Sequence, residues 1–89
     1  MLKISEGKTT KQTVTLRLEG RVVGPWVGEL RQICKPLLSD GSNLVLDLAE
    51  VTFADENGIA LLISLGSRGV KLLNALPFVE EQLKSAATG

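Results

Sequence analysis

Polar and apolar residues alternate along Thr13-Val14-Thr15-Leu16-Arg17-Leu18-Glu19. Successive side chains of a strand point to opposite faces. This period of two therefore predicts a half-buried strand with Val14, Leu16 and Leu18 turned inward. A shorter strand is predicted over Leu2 to Ser5. The turn residues Glu6-Gly7-Lys8 lie between the two, which reads as an antiparallel hairpin. Gly20 ends the alternation, and Arg21-Val22-Val23 continues the strand past a bulge.

The period changes after Gly24-Pro25. Trp26, Val27, Leu30, Ile33, Cys34, Leu37 and Leu38 recur at three-and-four spacing and define one apolar helix face. Pro25 suits the first turn of that helix, where a missing N–H costs nothing. Pro36 lies inside the pattern and predicts a kink or an early end. Ser39-Asp40-Gly41-Ser42 reads as a loop. Leu44-Val45-Leu46-Asp47-Leu48 is nearly continuous in apolar residues, as in a central strand covered on both faces. Asp47 there needs a hydrogen-bond partner or a place at the strand end.

After Phe53, Asp55 is a good N-cap for a helix through Ile59 to Leu65. Gly66 and Gly69 flank its end, with Arg68 near the C-terminal dipole. Val70 to Leu73 reads as a short strand. Pro77 opens a last helix, with Leu76, Val79, Leu83 and Ala86 or Ala87 as its apolar stripe. The order β-β-α-β-α-β-α over 1–89 predicts a single small α/β domain. A right-handed crossover joins 44–48 to 70–73 in parallel, so the four-stranded sheet is mixed and packed by helices.

The helix after Asp55 is unusually apolar. At about 100° per residue, Ile59, Leu62, Ile63 and Gly66 share one side, and Leu61 and Leu65 lie well round from it. The apolar arc spans roughly 200°, twice that of an ordinary surface helix. Ala60, Ser64 and Ser67 form the remaining strip. One face packs on the sheet. Leu61 and Leu65 need a second cover, either the last helix through Leu76, Val79 or Leu83, or a partner protein.

Composition removes several function classes. Ten basic and ten acidic residues cancel, and the basic ones are scattered, so nothing here tracks a phosphate backbone. With two Phe, one Trp and no Tyr, base-stacking platforms are nearly absent. There is no histidine and a single cysteine, Cys34. That removes His-activated nucleophiles, disulfide pairing and thiolate metal sites. Cys34 sits on the apolar stripe and reads as a small core residue. Trp26 reads as core or as a partner anchor. No signal-peptide pattern opens the chain, and the longest apolar stretch falls far short of the roughly 20 residues that span a bilayer. The expectation is a cytoplasmic protein without metal or cofactor. The acidic pair Asp55-Glu56 at a strand-to-helix junction either stabilises the first turn or marks a site, since sites in open α/β sheets form where strands end and helices begin.

Leu44 to Leu62 resembles the signature of the STAS family, which includes bacterial anti-sigma factor antagonists. That signature is an apolar strand with an Asp, a short loop, Asp-Ser-Ser-Gly or Asp-Ser-Thr-Gly, then an apolar helix. Here it reads Leu44-Val45-Leu46-Asp47-Leu48, then Asp55-Glu56-Asn57-Gly58, then Ile59-Ala60-Leu61-Leu62. Leu18-Glu19-Gly20 with Glu29-Leu30, and Gly69-Val70-Lys71-Leu72-Leu73 through Pro77, are similar to two further family segments in the right order.

The resemblance implies a non-enzymatic module that binds an anti-sigma kinase and is released when the residue after the loop Asp is phosphorylated. That position is Glu56, which has no hydroxyl. Its single charge imitates a phosphate in sign but not in magnitude. The implied contact residues are Phe53, Ala54, Asp55, Glu56, Asn57 and Gly58, with Leu61 and Leu65 beyond them. Related small STAS proteins brace the ATPase of phospholipid-transporting ABC systems, which is the alternative reading. A nucleotide-binding role lacks a Gly-rich phosphate loop with Lys. Val23 and Leu76 also depart from polar family positions. The family's usual further strand and helix are not found before Gly89, an uncovered edge that favours self-association into a homodimer.

Overall fold

The structure is a computed structural model that describes residues 2–88. Met1 and Gly89, the ends of the domain expected over 1–89, lie outside the described residues. Seven elements follow in the expected order: β1 (Leu2–Thr9), β2 (Thr13–Val22), α1 (Pro25–Ser39), β3 (Asn43–Ala54), α2 (Glu56–Ser67), β4 (Lys71–Leu73) and α3 (Pro77–Thr88). The sheet runs β1-β2-β3-β4 in sequence order. β1 pairs antiparallel with β2, while β2–β3 and β3–β4 are parallel, so the sheet is mixed.

Both parallel crossovers step the same way across the sheet. Right-handed connections then place α1 and α2 on one face. That face holds the core, with Leu16, Leu18 and Val22 of β2 against Leu44, Leu46, Leu48 and Val51 of β3. The other face is polar, and it corrects the expectation of a central strand covered on both sides. Val45 and Asp47 are only half-buried there. Arg17 lies 3.7 Å from Glu19 and 4.0 Å from Glu50 on exposed side chains, where such pairs contribute little.

Three further expectations change. The hairpin turn is not Glu6-Gly7-Lys8. β1 continues to Thr9 through a register shift between Glu6 and Thr9, and the chain reverses at Thr10, whose N–H donates to the Thr13 carbonyl (2.9 Å). Pro36 does not end α1, which runs on to Ser39. β3 is far longer than 44–48, because Glu50-Val51 and Phe53-Ala54 pair with Glu19 to Val22 of β2 across two register shifts. Asp47, beside the first shift, finds its partners in the Ala49 N–H (3.0 Å) and the Asn74 side-chain amide (3.3 Å).

The wide apolar arc of α2 is explained by its position, since it lies between α1 and α3 over the sheet. Its end is closed by a Schellman motif. Gly69, at φ 93°, donates to the Gly66 carbonyl, and Val70 donates to the Leu65 carbonyl. A left-handed residue is needed at this position, and glycine adopts it without a Cβ penalty. In α3, Val79 is buried and Leu83 half-buried as expected, but Ala86 and, just before the helix, Leu76 are exposed. The side chain of Ala87, the other residue expected in that stripe, lies outside the described ones.

Candidate functional site

The β2–α1 and β3–α2 junctions meet at the same end of the sheet, because the two strands are parallel neighbours. Asp55 ties them together. One carboxylate oxygen, Oδ1, accepts the Gly58 N–H at 2.7 Å and caps α2. The other, Oδ2, accepts the Gly24 N–H at 2.9 Å. Gly24 is the N-cap of α1 and brings no side-chain cap of its own. The Asp55 backbone N–H donates to the Val22 carbonyl (3.1 Å), continuing the strand pairing to its last residue. One carboxylate thus closes the starts of two helices.

Gly58 sits against the same point. A Cβ there would collide with the Val22 carbonyl oxygen and crowd its carbonyl carbon at 3.2 Å. The first turn of α2 packs directly on the β2 backbone, and only glycine permits that approach. The pattern Asp-x-x-Gly is therefore a mechanical unit, in which the Asp caps and the Gly lets the capped turn touch the neighbouring strand.

Hydrogen bonds from the Gly24 amide, then those from Gly58 and, more weakly, Asn57, hold the Asp55 carboxyl below the usual carboxylate range. The bonds are made to the charged form, so that form is favoured. Elsewhere, burial pushes the Cys34 thiol up to about 11, which keeps it protonated and unreactive.

With Asp55 turned inward, its neighbours point out. Glu56 and Asn57 are exposed on the first turn of α2. Phe53 is 37% exposed and stacks on Phe78 of α3, with ring centroids 6.1 Å apart and planes at 19°. Ala54 is buried, and its carbonyl accepts the Gln82 side-chain amide of α3 at 2.9 Å. Of the expected contact residues, Phe53, Glu56 and Asn57 form a surface, while Ala54, Asp55 and Gly58 build the frame beneath it.

Leu61 and Leu65 do not belong to that surface. They are 5% and 3% exposed, so they offer no ridge to a partner. Their cover is α1, where Cys34 and Leu38 border the same crevice, rather than the last helix. α3 lies on the opposite flank of α2, beside Ile59 and Ile63. Gly24, Phe78 and Gln82 were not among the expected site residues, and each reaches the junction only through the tertiary fold. Among the described residues no cluster of side chains is arranged to hold a metal ion, and no helix is long and apolar enough to cross a membrane.

Parallel strands whose junctions converge on a capped, outward-facing loop define the chain as a two-layer α/β module with an exposed platform at one end. The chain belongs to the STAS-domain family: the family model described as "Mlab, STAS domain" matches residues 6–85. The anti-sigma factor antagonist SpoIIAA, in its unphosphorylated form, is similar in structure, with TM-score 0.75 and 19% identity over 92% of this chain and 82% of that one. A DUF3478-family protein with a SpoIIAA-like fold from Shewanella loihica PV-4 is also similar, with TM-score 0.59 and 11% identity over 98% and 77%. At these identities the likeness is one of fold. No curated protein matches in sequence.

Proposed function

We propose that this chain is a non-enzymatic, cytoplasmic protein-binding module of the anti-sigma factor antagonist kind. It engages its partner through the Phe53–Gly58 junction, and phosphorylation at position 56 does not switch it. The observation that carries the reading is the double cap made by Asp55. It fixes the backbone of the loop and leaves Phe53, Glu56 and Asn57 outside it, on a rigid platform of the kind that loses little entropy on binding. No hydroxyl lies between Phe53 and Gly58 to accept phosphate. The fixed charge of Glu56 takes the place of a switch.

The test begins with the partner captured from the native host and identified by mass spectrometry. Its dissociation constant is then measured against the wild-type chain, Phe53→Asp, Asn57→Lys and, at the opposite end of the sheet, Lys11→Glu. The first two substitutions should weaken binding at least tenfold and the last should not. Kinase and ATP should leave the wild-type affinity unchanged. Equal affinities for all four chains, or a kinase-dependent loss, overturn the reading.

A second reading is a STAS subunit bracing the ATPase of a phospholipid-transport ABC system. The observation favouring it is that the matching family is described by "Mlab". The same affinity series, run with the captured partner, serves both readings, and the partner's identity separates them.

A further inference from the structure

The basic residues scatter along the sequence, yet the fold gathers three of them on one seam. Two crevices, of about 380 and 240 Å³, follow each other between α1 and α2. The first starts at Gly24 and Asn57, on the junction described above, and the second reaches Arg68 at the end of α2. Arg31 borders both crevices, and Lys35 and Arg68 border the second. The walls are otherwise low, with Gly28, Ala60 and Ser64 exposed along them. The floor is closed, since Cys34, Leu61 and Leu65 are buried. The seam therefore offers a partner its cationic rim and no apolar pocket.

No acidic side chain lines either crevice. Among the described residues none of the three cations is in an ion pair, whereas Arg17 and Lys84 each find a glutamate. Asp40, just past α1, spends its Oδ1 on the N–H and hydroxyl of Ser42. Arg68 is accounted for by the carbonyl end of the α2 dipole. Arg31 and Lys35 are not. They stand four apart on one helix face, where like charges repel and destabilise the helix. Charges that work against the fold, with no counter-ion in it, are complementary to an anion from outside. The two cations are separated by a rise of about 6 Å. Carboxylates at i and i+4 of a helix, or at i and i+2 of a strand, repeat at that spacing. A compact phosphate is served less well. The basic half of the seam lies beside the ends of α1 and α2, where no helix-start N–H groups point at a ligand. A membrane surface would need apolar side chains beside the cations, and the exposed Phe53, Leu73, Leu76 and Phe78 line neither crevice.

We propose that the α1–α2 seam binds an acidic segment of the partner protein, whose carboxylates pair with Arg31 and Lys35 and whose far end passes Arg68. This deepens the reading of the chain as a binding module and rests on it. A partner that meets the platform at 53–58 continues past Asn57 along the seam. The cations orient the segment and select against basic partners, and the platform supplies the apolar contact through Phe53.

A random peptide library displayed on phage and selected against the intact chain tests the proposal. The peptides recovered should carry Asp or Glu residues repeated at the spacings above. As synthetic peptides they should lose at least tenfold in affinity to Arg31→Glu and to Lys35→Glu, and again when their own acids are exchanged for amides. Lys11→Glu, the same change of charge at the opposite end of the sheet, should leave the affinity unchanged. Arg31→Glu should not lower Tm, because it replaces a repulsive pair by a Glu–Lys pair at i and i+4. A lowered Tm would mean that the cation already has its partner in the fold, and overturns the proposal. Recovering no binders, binders indifferent to both reversals, or binders whose amide forms hold equally well also overturns it. Inorganic phosphate and vesicles containing phosphatidylglycerol are run alongside. If either displaces the peptides from the wild-type chain and is itself lost on Arg31→Glu, an acidic segment is the wrong occupant. A captured partner that is lost on Phe53→Asp but keeps its affinity for both reversals overturns the seam and leaves the junction reading standing. Peptides that need the cations, with a captured partner indifferent to Phe53→Asp, support the seam and overturn the junction.

Discussion

The two flanks of α2 are built from the same short apolar helix and have opposite fates. On the α1 side, Leu61 and Leu65 are sealed beside Cys34 and Leu38. On the α3 side, Ile59 is buried as well, but Ile63 is only half-buried and a groove remains, while the exposed Ala60 and Ser64 lie along the crest of α2 and border crevices on both flanks. α1 brings a continuous apolar face, whereas α3 brings, among its described residues, one fully buried side chain, Val79, and is held to the junction by the Phe53–Phe78 stack and the Gln82–Ala54 bond. An apolar arc of a given width thus becomes core or surface according to what the facing helix supplies. The arc alone does not distinguish a docking ridge from a buried seam.

The largest expected effect lies on the sealed flank. Leu65→Ala should cost about 3 kcal/mol through lost burial and the cavity left behind. For a chain of this size that lowers Tm by more than ~10 °C. A loss below ~1 kcal/mol in urea unfolding would mean that this flank is not core. Next comes Gly58→Ala, which forces α2 away from Val22 and should cost about 2 kcal/mol, as backbone displacement by overpacking does. An unchanged unfolding midpoint would show that the close approach is not obligatory. On the open flank, Ile63→Ala should cost about 1 kcal/mol, in keeping with a side chain only partly removed from water. A cost equal to that of Leu65→Ala would erase the contrast between the flanks. Ser64→Trp should change stability by no more than ~0.5 kcal/mol, as surface substitutions do.

The last prediction concerns pH. The folded-state pKa of Asp55 is depressed below its unfolded value, so its contribution is fully present above the unfolded pKa of about 3.9. It is lost as pH falls through the folded pKa. Asp55→Asn removes that titration, so the difference in stability between wild type and variant should narrow as pH drops below about 4. A difference that stays constant down to acid unfolding would mean that the two amide bonds do not favour the charged carboxylate.

Much of this was legible in the sequence because it is local. Asp55 and Gly58 stand three residues apart, so their cap follows from spacing, and the order of elements follows from the periods of two and three-to-four. The second bond of Asp55 joins it to Gly24, 31 positions away. No local pattern encodes it, because it exists only once β2 and β3 lie side by side. The same reason hid Gln82 and Phe78. Gly7 reads as a turn residue but sits in a strand irregularity, since the register of the hairpin is set by pairing with β2 rather than by turn propensity. Pro36 predicts a kink or an early end, yet α1 runs on past it to Ser39. It lies one turn from the natural terminus, where few backbone bonds remain to be broken.

The most direct test of the account is amide NMR shift mapping of the chain titrated with its captured partner. The account predicts shifts concentrated at Phe53, Glu56 and Asn57 and along the exposed wall of α2 at Ala60 and Ser64, with the open sheet face around Thr15 and Arg17 unmoved. Shifts confined to that sheet face, or to the β1–β2 turn, would contradict it.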